Sequence, residues 1–194
     1  MFSAGAVIVD ISSIVPDRAC QNRVCQHEGM ESGEATGRER VIADATARCI
    51  PVEVIERPAA NSLEEAAALL GITPADIVKS LVVKRRDGTF LFAEVPGDRQ
   101  ISWPKLRAVV GVNKLQLPDA GQALEATGYE RGTITPLGST TAWPVFVDAS
   151  IPGRRVSMGA GEHGYSLFVD SDALIAGLDA TVADISEPIT SDQG

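Results

Sequence analysis

A chain of 194 residues, 44% hydrophobic and 22% charged, has the size and balance of one packed domain in water. Its net charge of −9 counts against indiscriminate nucleic-acid binding, and no apolar run approaches the ~20 residues of a membrane-spanning helix. With aromatic residues at only 5%, the core has to be built from Val, Ile, Leu and Ala.

The N-terminal stretch has an apolar patch, residues 6–14, but no basic segment ahead of it, and Asp10 interrupts it. A secretory signal is not expected and the cytoplasm is the expected location. The polar run "RACQNRVCQHEGMESGEATGRER" has no apolar period, so residues 1–40 read as a poorly ordered extension, with Met30 an alternative start. Cys20, Cys25 and His27 match no zinc spacing, and an odd total of three cysteines gives no disulfide framework. No metal or other cofactor is expected.

Regular patterning begins near residue 41 and continues to 186, with 187–194 a flexible tail. "RERVIADATARCI" suits a short helix and "PVEVIERP" a strand. "NSLEEAAALLGI" predicts a helix capped by Ser62, with Glu65 three residues on and Gly71 as its stop. Val78–Lys84, the turn at Asp87-Gly88 and "FLFAEV" predict a β-hairpin. Helices follow at "SWPKLRAVVG" and "DAGQALEATG", with a short strand, "KLQLP", between them. "WPVFVD", "RRVSMG" and "YSLFVD" read as strands and "SDALIAGL" as a closing helix. Helices and strands mix without a βαβ repeat. The expected fold is therefore α+β: a single compact domain with a mixed, curved, barrel-like sheet flanked by helices.

One residue breaks the hairpin's pattern. Alternation puts Lys79 on a strand face with Ile77, Leu81 and Val83, where an ammonium has to be explained. It either snorkels to the rim or serves a site. Between Lys79 and Lys114 there are eight basic residues against three acidic ones, which is either a solvated set of strand ends or a small docking patch for phosphates. Two glycine-rich stretches, "GYERGTITPLGS" and "SMGAGEHGYS", are either tight turns or places where bare backbone N–H groups face a ligand. "GAGEHG" fits a dinucleotide fingerprint in form only, because no helix follows it.

"SLEEAAALLGITPADIVKSLVV", "VPGDRQISWPKLRAVVG", "TGYERGTITPLG", "PVFVD" and "SMGAGEHG" come in an order that resembles the YbaK-type aminoacyl-tRNA deacylases, free-standing relatives of the editing domain of bacterial prolyl-tRNA synthetases. The likeness spans about residues 48–185. It implies a trans-acting hydrolase for the ester of mischarged tRNA, with a small amino acid (Cys, Ala or Ser) and proline tRNA. The expected partners are the acceptor end of aminoacyl-tRNA and a synthetase. By the resemblance, Lys79 and Gly132 are the catalytic positions. Ser80, Thr135, Pro136, Gly138, Gly159, Gly161, His163 and Gly164 are the substrate-binding ones. Departures from the family pattern fall at Glu162 and His163, at Ser166, and in "VEVIE", which lacks a tyrosine seen in some members.

The chemistry asks for little. An aminoacyl ester is activated already, and backbone N–H groups around Gly132 and Gly161 would stabilise its carbonyl oxygen. Lys79 is either a base with a depressed pKa or an electrostatic clamp on an anionic group, the clamp being favoured. No side chain makes a convincing nucleophile, which leaves water, the terminal ribose hydroxyl or a substrate thiol. The alternative function is a non-catalytic module of the same fold that binds a tRNA end or nucleotide.

Overall fold

The computed structural model describes residues 35–60 and 62–189. Cys20, Cys25, His27 and Met30 lie outside them. Helix α1 (Gly37–Ala47) starts inside the stretch expected to be an extension. Thr36 caps it, and Glu39 reaches back to the Thr36 N–H in a reciprocal capping box. Strand β1 (Val52–Glu56) follows, then α2 (Leu63–Leu70). Ser62 caps α2 through the Glu65 N–H, and Gly71 ends it in the left-handed conformation, at φ 68°. Cys49, between α1 and β1, is disulfide-bonded.

Strands β2 (Val78–Arg85) and β3 (Phe90–Pro96) form the predicted hairpin, with Lys79 opposite Val95 and Ser80 opposite Glu94. The turn is fixed by Asp87, whose Oδ1 accepts from both the N–H and the hydroxyl of Thr89. Then come β4 (Arg99–Ile101), α3 (Trp103–Val110), β5 (Leu115–Gln116), α4 (Ala120–Thr127), β6 (Val145–Asp148), β7 (Arg155–Gly159), β8 (Tyr165–Asp170), α5 (Ser171–Leu178), β9 (Thr181–Ala183) and β10 (Ser186–Pro188).

The mixed α+β character is as expected, but the strands do not form one closed sheet. They make three: β5-β2-β3-β6-β9, β1-β8-β7 and β10-β4. The larger two are linked at an isolated parallel bridge, Ile77 to Ser157. Each face of the five-stranded sheet has its own core. On one face Val78, Val82, Phe92 and Val147 pack with Val156, Met158 and Leu167 of the three-stranded sheet and with Val41 of α1. On the other, Val83, Leu91, Ala93 and Val95 pack with Leu106 of α3, Leu115 and Ile185. Alternation along β3 therefore puts Glu94 on the same face as Phe92, toward the three-stranded sheet. Strand β10 reaches Pro188 and pairs with β4, into the stretch expected to be a tail.

Candidate active site

Six consecutive residues of β2 and its approach, Ile77 to Val82, line one cavity of about 800 Å³. A single face of a strand offers only every second residue, so the cavity must run along an edge. Pairing explains why that edge is open. Strand β5 covers β2 only at Lys84 and Arg85, and β7 meets it only at Ile77. The Gly97 N–H donates to Ile77 O and the Arg85 N–H to Thr89 O. This phase makes the odd-numbered residues of β2 bond to β3, so the backbone groups of Ser80 point outward along the open edge.

The ammonium of Lys79 does not lie loose in solvent. Its Nζ donates to Gly97 O at 3.0 Å and to Arg99 O, the two carbonyls flanking Asp98 in the turn from β3 to β4. Lys79 is half-buried, and burial holds its pKa below the usual lysine range, opposed by the charges of Asp98 and Glu64. Two of three N–H bonds are spent on carbonyls, which leaves one for a ligand.

Of the positions anticipated from sequence, Lys79, Ser80, Gly132 and Gly159 share this cavity. The Gly132 N–H, at φ 95°, has no acceptor among the described residues. The Gly161 N–H, expected to face the ester, instead donates to Thr133 O at 2.9 Å, tying the second glycine stretch to the first. Thr135 is buried, and its hydroxyl accepts from the Leu137 N–H at 3.4 Å. Pro136 lines a separate cavity of about 300 Å³ with Arg48 and Trp143. The Gly138 N–H donates to Asp44 of α1 at 2.9 Å, and the Gly164 carbonyl accepts from the Arg57 N–H at 2.8 Å. His163 is exposed and pairs with Glu130 at 3.0 Å, bridging the two glycine stretches at the surface beside Gly132.

Gly159 sits where the two loops touch. A Cβ there would fall 2.6 Å from Thr133 O and also against Ile134 O, both fixed backbone. Gly159→Ala is expected to cost about 1–3 kcal/mol, the usual penalty for overpacking, read as a lower urea midpoint with unchanged m-value.

Sequence reading missed the rest of the lining. Arg57 and Arg131 join Lys79 to make three cations around a cavity whose one carboxylate is Asp119, the cap of α4. Arg57 donates through Nε to Ser166 Oγ at 2.8 Å, which fixes its guanidinium beside Tyr165 and Ser166. The other basic residues between Lys79 and Lys114 do not gather into a patch. Lys105 pairs with Asp184, Arg99 bonds Ser186, and Lys84 bonds Gln122 and lies over the Phe90 ring. Among the described residues no cluster of His, Cys, Asp and Glu could hold a metal ion, and no helix is long and apolar enough to cross a membrane.

The chain that builds this cavity belongs to the aminoacyl-tRNA editing domain family, whose model matches residues 57–176. It is 27% identical to the crystal structure of a candidate trans-editing enzyme for prolyl tRNA synthetase, with a TM-score of 0.73 over 80% of this chain and 99% of that one. Among curated relatives, it is 40% identical to proline–tRNA ligase of Thermosipho africanus over 88 residues, 45% of this chain and 16% of the ligase. It is 30% identical to that of Thermoanaerobacter sp. (strain X514) over 146 residues, 74% of this chain and 25% of the ligase. The chain thus spans a quarter or less of these ligases.

Proposed function

We propose that this protein is a trans-acting aminoacyl-tRNA deacylase that clears a small amino acid, Cys, Ala or Ser, from proline tRNA. The carrying observation is the open edge of β2: a carbonyl-held ammonium, Gly132 with its unengaged N–H, and two guanidinium groups share one cavity. A volume of about 800 Å³ suits an aminoacyl group together with the terminal adenosine, and the cations suit the phosphate that follows it. In the step envisaged, a water oxygen attacks the ester carbonyl. Charge collects on the carbonyl oxygen opposite the Gly132 N–H, the carbon–oxygen bond to the ribose breaks, and the ribose oxygen takes up a proton. Two carbonyl acceptors favour the charged form of Lys79, which supports a clamp over a base. A synthetase partner is part of this reading.

The deciding experiment is a panel of aminoacylated tRNAs treated with the purified protein. Release of Ala, Cys or Ser from proline tRNA above the spontaneous rate is expected, with prolyl-tRNA spared. The competing reading is a binding module without turnover, favoured by the net charge of −9 and by the engaged Gly161 N–H. Retention of an acylated-adenosine mimic with no release across the whole panel would decide for it.

A further inference from the structure

Glu94 lies at the centre of the five-stranded sheet, fully buried, where an apolar residue would be ordinary. Its one side-chain partner among the described residues is Ser80, directly across the hairpin, whose Oγ lies 2.8 Å from Glu94 Oε2. Oε1 has no partner among them. Burial without a counter-charge pushes this carboxyl up to about 7. Ser80 itself lines the cavity.

The geometry has a chemical consequence. A hydroxyl has one proton, and Ser80 gives it to Glu94 when that carboxyl is ionised, as it is above about pH 7. What remains of Oγ toward the cavity is acceptor only, made more basic by the carboxylate behind it. The backbone carbonyl of Ser80 also faces the open edge, beside its N–H, so the residue brings a second acceptor together with one donor. The charged lining is mostly donor, Arg57, Lys79 and Arg131; its one carboxylate, Asp119, has Oδ1 taken by the Gln122 N–H in capping α4. An aminoacylated adenosine offers phosphate, ester and ribose oxygens to donors, but its reacting end offers a single cation, the α-ammonium.

We infer that Ser80, positioned by Glu94, recognises the α-amino group of the esterified amino acid. This rests on the deacylase reading and names the feature of the substrate that the site selects. Ser80 is the contacting group and Glu94 the positioning one. The pair makes the cavity discriminate a free aminoacyl group from the same acyl group without its amine, or with that amine blocked.

The test separates binding from turnover by using amides in place of the ester. Calorimetry compares 3′-alanylamido-3′-deoxyadenosine with its propanoylamido counterpart, which lacks the amine. The unmodified protein is expected to prefer the first about tenfold, the size of one hydrogen bond to a charged group. Ser80→Ala, and Glu94→Leu, which removes the acceptor that orients the Ser80 hydroxyl, are expected to reduce that preference to less than about threefold while both compounds still bind. Equal affinity in the unmodified protein overturns the assignment even if a variant fails to fold, and leaves deacylation standing. A preference that survives both substitutions in folded protein also overturns it. Binding of neither compound, together with no release across the tRNA panel, removes the functional reading and this inference with it.

Discussion

Replacing Lys79 with alanine is expected to lower deacylation by about 10²–10³-fold, with little change in the unfolding midpoint. The rate effect is that of removing one preorganised donor from a developing charge, about 2.7–4 kcal/mol. The modest stability effect follows from half-burial. The substitution leaves two carbonyls without this donor: Arg99 O, of a half-buried residue beside exposed Asp98, and Gly97 O, of a buried one, for a cost of about 1 kcal/mol. Lys79→Arg is the sharper control. It keeps the charge, but a planar guanidinium cannot repeat the geometry by which one nitrogen meets two carbonyls and a ligand. It should lose most of the activity too. Single-turnover hydrolysis of the preferred aminoacyl-tRNA measures both, and a rate for Lys79→Ala within twofold of the parent would remove Lys79 from the mechanism.

Glu94 gives the second large effect, and it concerns stability. Its carboxyl titrates near 7 in the folded protein, against about 4.3 in an unfolded chain. Between these values the folded state binds more protons than the unfolded one, so stability falls as pH rises. The contribution is fully present below about 4.3 and is lost as pH passes through 7, an excursion of about 3–4 kcal/mol. Glu94→Gln abolishes this titration while keeping an acceptor for Ser80. The difference in unfolding free energy between variant and parent should therefore move in the variant's favour by about 3 kcal/mol from pH 4.5 to pH 8. Urea titrations at the two pH values measure it. A constant difference would mean that Glu94 titrates normally and is not sealed from solvent.

How much of this was open to sequence reading depended on whether the signal was local. The hairpin turn, the cap at Ser62 and the stop at Gly71 each follow from a few neighbouring residues, and all are present. Lys79 stood out because period-2 alternation exposed it against aliphatics. Its partners could not be read, because Gly97 and Arg99 reach it only after β3 has folded back and turned into β4. Strands β4, β9 and β10 have three residues each, too short to show a period, and β9 is placed by a parallel pairing to β6 across α5. Glu94 passed as the polar end of "FLFAEV". It shares a face with Phe92, but only the flanking of β3 by β2 and β6 buries it. The glycines divided similarly. Gly132 and Gly159 reach the cavity, whereas Gly138 and Gly161 hold backbone against backbone, a use that composition cannot distinguish from ligand contact.

The family match begins at Arg57, yet what holds the two glycine stretches lies partly upstream of it. Gly37 packs its backbone on Gly161, Arg38 lies 4.2 Å over the Tyr165 ring, Arg40 donates to Gly128 O, and β1 pairs with all but the last residue of β8. A polypeptide trimmed to the matched boundaries would keep the cavity's chemistry while stripping one flank of β8 of its ladder and the loop of its brace. The unit that inheritance recognises is therefore smaller than the unit that can stand upright.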